Sequence, residues 1–175
     1  VLAPLIAEIG SAWQRGELRS GQEHLGTAVI RELLMPPPPG SHTASGAPEL
    51  VVATPCGELH ELGALLVAAS ARDLGWKAQY LGPNLPAEEI AACAKARHAQ
   101  AVALSVVYPD NCPTVLAQIR ELRGLIPAGT LLLVGGRAAS AYQRQAGGQE
   151  TGIHWMSDLP GLDRLLVDLQ SRAAA

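Results

Sequence analysis

The chain contains no phenylalanine and only three cysteines in its 175 residues. Without phenylalanine, the core must consist mainly of Leu, Val, Ile and Ala, with tryptophan and tyrosine in special places. The cysteines are odd in number and scattered, and they form no C-x-x-C pair, which argues against a disulfide scaffold or a zinc ribbon. This pattern is typical of a reducing compartment, and we therefore expect a cytoplasmic protein.

Several signals of particular partners are also missing. No apolar run reaches the ~20 residues needed to span a bilayer, so we expect no membrane contact. The net charge is −3 and lysine and arginine do not cluster, so this segment is not expected to bind nucleic acid directly. No G-x-G-x-x-G follows a strand-like run, which leaves dinucleotide binding without support. Because the chain opens with Val1 inside an amphipathic pattern, we expect a fragment whose output domain lies upstream.

After residue 48, apolar strand-like runs alternate with helical ones, and the apolar fraction of 48% suits a packed α/β protein. Strict alternation predicts a parallel sheet with right-handed crossovers and helices on both faces. Five such units predict a flavodoxin-like (Rossmann-like) domain over 49–172, with its ligand beyond the carboxyl ends of the strands. The predicted strands are 49–54, 77–81, 101–107, 130–134 and 153–156, and the predicted helices are 61–74, 87–97, 113–122, 138–146 and 159–171.

A helical segment over 1–35 precedes this domain. Apolar residues from Leu2 to Trp13 follow helical spacing, Gly16 interrupts the pattern, and a second helix is predicted over 20–34. Two helices cannot bury two apolar faces alone, so they must pack on the following domain, on upstream helices, or on both. Residues 36–48 are predicted to form a Pro/Gly-rich linker.

The loop after the first strand reads T-P-C-G-E-L-H-E-L-G over residues 54–63. It falls at the expected ligand edge, where His60 offers a neutral imidazole to a metal and a nearby carboxylate would orient the ring. Taken alone, such a histidine is more commonly a solvated loop residue, with Glu58 helping to cap the helix. It is not a zinc-protease motif, since H-E-x-x-H needs histidine where Ala64 stands.

Two other strands end at the same edge with small residues. The third ends with Ser105, Val106 and Val107, and the fourth runs into Gly135 and Gly136. Paired glycines let a flat or bulky group approach the backbone, and a serine hydroxyl can donate to a buried ligand atom. Each feature also has an ordinary structural explanation by itself.

Together, E-x-H-x-x-G over 58–63, S-x-V over 105–107 and G-G at 135–136 resemble the cobalamin (vitamin B12)-binding domain family. That family's pattern is D-x-H-x-x-G, then S-x-L or S-x-V, then G-G. In this chain 41 residues separate the first two elements and 27 the last two, which suits the family. Glu58 replaces the usual aspartate, as it also does in the family's light-sensing branch. The cofactor contacts implied by the resemblance are Glu58, Leu59, His60, Glu61, Gly63, Ser105, Val107, Gly135 and Gly136.

By this resemblance, His60 displaces the dimethylbenzimidazole base and becomes the lower ligand of cobalt. The freed nucleotide tail then enters a channel lined by Ser105 and the turn at Gly135 and Gly136. Because Leu59 is uncharged, no charged contact between subunits is carried over to that position.

The first two helices narrow the resemblance further. Trp13 is followed by nine residues and then by Glu23 and His24, and this W-x9-E-H arrangement is similar to the helical cap of CarH/LitR light-sensing regulators of the MerR family. The cap there is a four-helix bundle, of which this chain would hold a part. The resemblance implies that Trp13 packs over an adenosyl group, that Glu23 hydrogen-bonds it, and that His24 ligates cobalt after light breaks the cobalt–carbon bond.

The leading hypothesis is therefore a non-enzymatic photoreceptor module for adenosylcobalamin that controls transcription. We expect a homo-oligomer that contacts DNA only through a missing upstream domain. The alternative is a corrinoid carrier that uses methylcobalamin to supply methyl groups to a methyltransferase. A mutase subunit and a domain without a cofactor are further alternatives.

Overall fold

The computed structural model of the chain describes residues 2–35, 46–147 and 152–173. These residues belong to two compact units, Val1–Ser41 and His42–Ala175. The predicted linker falls largely on residues 36–45, which include His42 and lie outside the described residues. The boundary between the two segments therefore stays a prediction. No helix in the described ranges is long and apolar enough to cross a membrane.

The first unit contains two helices, α1 (Leu2–Gln14) and α2 (Ser20–Leu34). The turn between them contains Gly16 at φ +75°, a backbone conformation that glycine adopts without strain. At the start of helix α2, the Gln22 side chain accepts a 3.0 Å hydrogen bond from the Arg19 backbone N–H. Backbone amides at the start of a helix have no partner within the helix, and this contact supplies one of them. The predicted pair of helices, broken at Gly16, is confirmed.

The second unit contains a sheet of five parallel strands in the order β2-β1-β3-β4-β5. The strands are β1 (Glu49–Ala53), β2 (Lys77–Tyr80), β3 (Ala101–Ser105), β4 (Leu131–Gly135) and β5 (Ile153–Trp155). The helices are α3 (Leu62–Asp73), α4 (Ala87–Ala96), α5 (Pro113–Leu125), α6 (Ala139–Gln145) and α7 (Leu159–Ala173). This is the flavodoxin-like order, and it confirms the predicted fold class.

The central strands are apolar along most of their length because helices cover both of their faces. On one face, Val51, Val102 and Leu104 pack with residues of α4 and α5. On the other face, Leu50 and Ala103 pack with residues of α3 and α7. Since neighbouring side chains on a strand point to opposite faces, each central strand needs an unbroken apolar run.

Strand β3 is two residues shorter than predicted, because the chain leaves the sheet after Ser105. The Val106 N–H still donates to the Gly135 carbonyl at 2.8 Å, but the Val106 carbonyl accepts from Ala138 N–H at 3.1 Å. The next two amides turn towards the loop after β1. The strand order reverses between β1 and β3, and this is the position where a fold of this kind places its ligand.

Candidate functional site

The loop between β1 and α3 is fixed by hydrogen bonds at its base. The Thr54 hydroxyl donates to the Glu58 carbonyl at 2.5 Å and accepts from the Asn84 N–H at 2.9 Å. The Asn84 side chain in turn accepts a 2.7 Å hydrogen bond from the Gly57 N–H. Gly57 lies at φ +89°, so the turn before Glu58 requires a residue without a side chain. These contacts hold the loop in one conformation.

The Glu58 carboxylate is the centre of the site. The residue is only 1% exposed, and its two oxygens accept four hydrogen bonds. Oε2 accepts from the N–H groups of Val107 and Tyr108 at 2.6 and 2.7 Å. Oε1 accepts from the His60 backbone N–H at 2.9 Å and lies 2.6 Å from His60 Nδ1. A buried carboxylate is tolerated only when it is paired in this way.

His60 is oriented by this carboxylate and remains accessible. Because a carboxylate oxygen accepts, the 2.6 Å contact assigns the ring proton to Nδ1. The side chain is 60% exposed, and no residue in the described part of the chain hydrogen-bonds to Nε2. A histidine that donates from one nitrogen to a carboxylate and presents the other as a lone pair has the arrangement of a metal ligand.

The donor set fits a metal that brings its other ligands with it. Within the residues that the structure describes, no group of three or more His, Cys, Asp or Glu side chains is placed to hold a metal ion. A single imidazole therefore suits a metal held in a macrocycle better than a bare ion, which needs several protein ligands.

A buried hydroxyl without a partner lies close to this loop. Ser105 is 3% exposed, and its Oγ forms no hydrogen bond to any described residue. A Cβ atom at Gly63 would lie 2.6 Å from this oxygen, so glycine leaves space for the hydroxyl. Leaving a buried hydroxyl unpaired costs about 1–3 kcal/mol, and a polar ligand atom at this position would remove the penalty.

The two glycines after β4 have different surroundings. Gly136 lies at φ +101°, and a Cβ there would collide with the Val106 carbonyl oxygen. At Gly135, a Cβ would make ordinary contact with the Met156 Cβ at 3.5 Å. The protein's own backbone therefore requires glycine at position 136. This requirement could not be predicted from the sequence.

The remaining predicted residues of the second unit lie on the same loops. The Leu59 side chain is exposed, and Glu61 Oε2 accepts a 2.6 Å hydrogen bond from the Tyr80 hydroxyl. Val107 contributes its backbone N–H to Glu58. Val107 therefore contributes to the site through its main chain.

Two tyrosines at the site were missed from the sequence. The Tyr108 ring stands edge-on to the His60 ring, with 6.4 Å between the centroids and 72° between the planes. Tyr142 is fully buried; its hydroxyl accepts from the Cys112 N–H at 3.2 Å and donates to the Pro109 carbonyl. Burial raises the pKa of Tyr142, so the phenol keeps its donor proton at neutral pH. An aromatic residue directly after the end of a buried strand was the only signal for Tyr108.

In the first unit, Glu23 and His24 are adjacent and differ in exposure. Glu23 Oε1 accepts a 2.9 Å hydrogen bond from the Thr27 hydroxyl, and its Oε2 lies 3.7 Å from His24 Nδ1. The His24 side chain is 80% exposed, and about half of Trp13 is exposed. These three side chains are thus accessible to a ligand.

Comparisons with known proteins agree on the family. The family described as "B12 binding domain" matches residues 48–157. The HTH-type transcriptional repressor CarH of Myxococcus xanthus is 32% identical over 169 residues, which cover 94% of this chain and 54% of the repressor. The chain thus spans about half the length of this curated relative.

Two solved structures share the fold. A cobalamin-binding protein from Desulfitobacterium hafniense DCB-2 aligns with a TM-score of 0.55 and 19% identity, over 95% of this chain and 77% of that one. The monomethylamine corrinoid protein of Methanosarcina barkeri aligns with a TM-score of 0.58 and 14% identity, over 96% of this chain and 78% of that one. At these identities the likeness concerns the fold.

The buried acceptor at Glu58 leads to a prediction for stability. Replacing Glu58 with Gln presents an amide N–H₂ to groups that are themselves donors, so we expect the free energy of unfolding to fall by about 1–3 kcal/mol. Glu89→Gln, on the exposed first turn of α4, should change it by less than about 0.5 kcal/mol. Urea denaturation measures both, and equal effects of the two substitutions would contradict the assigned role of Glu58.

The Tyr142 hydroxyl leads to a second prediction. Tyr142→Phe should keep the fold but free the loop between β3 and α5, because two hydrogen bonds worth about 0.5–1.5 kcal/mol each are lost. Amide hydrogen exchange should accelerate at Cys112. Tyr80→Phe, which removes a hydroxyl bound to Glu61, serves as the control and should leave exchange at Cys112 unchanged. Unaltered exchange in Tyr142→Phe would show that the hydroxyl does not hold this loop.

Proposed function

The chain belongs to the B12-binding domain family, and from this we propose that it is a photosensory module for adenosylcobalamin with His60 as the lower ligand of cobalt. The observation that carries the proposal is the buried Glu58 carboxylate, which orients the His60 imidazole through Nδ1 and leaves Nε2 accessible. A carboxylate partner fixes the tautomer and raises the basicity of a ligating histidine.

The lower side of the site supports binding in the base-off form. If His60 occupies the lower coordination position, the nucleotide base of the cofactor must bind elsewhere. The buried Ser105 hydroxyl, which has no partner among the described residues, lies beside Gly63 on the α3 side of the sheet. We propose that this hydroxyl and the neighbouring turn at Gly135 and Gly136 receive the displaced nucleotide tail.

We propose that residues of the first unit contact the upper side of the cofactor. Adenosylcobalamin, when bound, supplies a cobalt–carbon bond that visible light cleaves. Trp13 offers a flat apolar surface that can shield an adenine from water, and the Glu23 carboxylate can accept hydrogen bonds from ribose hydroxyls. His24, exposed beside Glu23, is the proposed upper ligand after illumination. A change of ligand between two states is the kind of local event that can drive a conformational switch.

The proposed output is control of transcription. The relative from Myxococcus xanthus is described as an HTH-type transcriptional repressor, and the chain spans 54% of it. The segment itself has a net charge of −3, which does not favour direct contact with DNA. We propose that DNA is contacted by a part of the protein outside this segment, and that light acts by changing association between identical subunits.

A corrinoid methyl carrier is the second candidate, because the monomethylamine corrinoid protein shares the fold. Both functions use the His60 loop, so the upper side has to discriminate between them. A carrier must open its upper side to a partner enzyme and should prefer methylcobalamin, whereas Trp13, Glu23 and His24 favour a larger, polar adenosyl group. A tighter affinity for methylcobalamin would favour the carrier.

The proposed lower ligand can be tested by spectroscopy. The protein loaded with adenosylcobalamin in the dark should change its visible spectrum after green light. His60→Ala should weaken binding by at least about tenfold, since a metal–ligand bond supported by a carboxylate is lost. His154→Ala, an exposed histidine of β5, is the control and should bind as the unaltered protein does. Unchanged affinity and spectrum in His60→Ala would overturn the assignment.

The proposed upper ligand has a separate test. His24→Ala should leave the affinity and the spectrum in the dark unchanged but alter the spectrum of the illuminated product, because the incoming imidazole is missing. Glu32→Ala, another exposed position of α2, should behave as the unaltered protein in both states. An illuminated spectrum that is identical with and without the His24 imidazole would exclude this residue as the incoming ligand.

A further inference from the structure

Tyr108 is a large aromatic side chain that the fold leaves at the surface. It is 62% exposed, and it lies three residues after the end of β3, at the carboxyl edge of the sheet. No described residue hydrogen-bonds to its hydroxyl. The side chain therefore contributes little to the core, and its ring is accessible at the carboxyl edge of the sheet.

The backbone of Tyr108 is nevertheless held in place. Its N–H donates to Glu58 Oε2 at 2.7 Å, while Oε1 of the same carboxylate contacts His60. The position of the Tyr108 backbone and the orientation of the imidazole are thus set by a single buried group.

The two rings are also in contact. Their centroids are 6.4 Å apart and their planes are inclined by 72°, which is an edge-to-face arrangement that aromatic rings prefer. The Nδ1 contact with Glu58 restrains the imidazole, and the Tyr108 ring packs beside it. The His60 ring is therefore oriented by a hydrogen bond and by a packing contact.

We propose that Tyr108 is a cofactor-binding and positioning residue on the His60 side, whose ring packs against the corrin macrocycle and fixes the plane of the imidazole. This inference rests on the proposed function, because the macrocycle must lie over His60. The contact between the Tyr108 and His60 rings, with 6.4 Å between their centroids, makes the tyrosine a neighbour of any macrocycle whose metal His60 binds. Leu59, also exposed and next to His60 in the chain, adds apolar surface there.

The test compares three substitutions by equilibrium binding of hydroxocobalamin and by visible circular dichroism of the bound chromophore. Tyr108→Ala should weaken binding on the order of tenfold, because an aromatic surface loses its contact, and it should change the dichroism. Tyr108→Phe keeps the ring and should bind within about twofold of the unaltered protein. Val167→Ala, which shortens an exposed apolar residue of α7, is the matched control. Thermal unfolding of all three without corrinoid should match that of the unaltered protein.

The outcomes separate this inference from the proposed function. If His60→Ala weakens binding and Tyr108→Ala changes neither affinity nor dichroism, the role of Tyr108 is wrong while the lower ligand stands. If Tyr108→Phe loses as much affinity as Tyr108→Ala, the hydroxyl matters and packing by the ring is refuted. If the unaltered protein binds no corrinoid, both proposals fall together.

Discussion

A buried carboxylate joins the two loops on which the site depends. Glu58 comes from the loop after β1, and its acceptor oxygens bind backbone amides of Val107 and Tyr108 in the loop after β3. The same carboxylate holds His60. Since β1 and β3 are the neighbouring strands at which the sheet order reverses, a single side chain spans the position where this fold leaves room for a ligand. Losing it would remove the link between the two loops and the restraint on the imidazole at once.

The length of this side chain explains why glutamate serves where the family pattern has aspartate. Reaching two amides of another loop as well as a ring nitrogen of its own loop requires an extended side chain. An aspartate at the same backbone position would be one methylene group shorter, so one of the loops would have to move to keep all four hydrogen bonds. The first loop is fixed by Thr54, which binds the Glu58 carbonyl, and by Asn84, which binds Gly57. The Glu58 side chain alone therefore has to span the distance to the second loop.

Much of the fold could be predicted from the sequence because its signals are local. Apolar runs such as 101–105 are buried on both faces, and their alternation with helical segments was enough for the fold class. The end of β3 was placed two residues too late, because Val106 and Val107 are as apolar as the strand before them and only their hydrogen-bond partners distinguish them. Gly136 was predicted as a cofactor contact, but its backbone constraint and the hydrogen bonds of Tyr142 could not be predicted, for a similar reason. Both depend on contacts with Val106 and Pro109, which follow from the path of the chain after Ser105.

Polar groups of the site that lack a hydrogen-bond partner couple ligand binding to the stability of the fold. The Ser105 hydroxyl is buried without a partner in the described part of the chain, so a ligand atom that pairs with it removes the cost of leaving it unpaired. His60 is held with one nitrogen accessible, which restricts a ring that would otherwise rotate freely. A ligand that coordinates the imidazole and accepts from the hydroxyl is therefore bound by groups already in position, and it stabilises the folded chain by mass action. The imidazole and the hydroxyl are in this sense in position before a ligand binds, because Glu58 and the fold of the two loops already hold them.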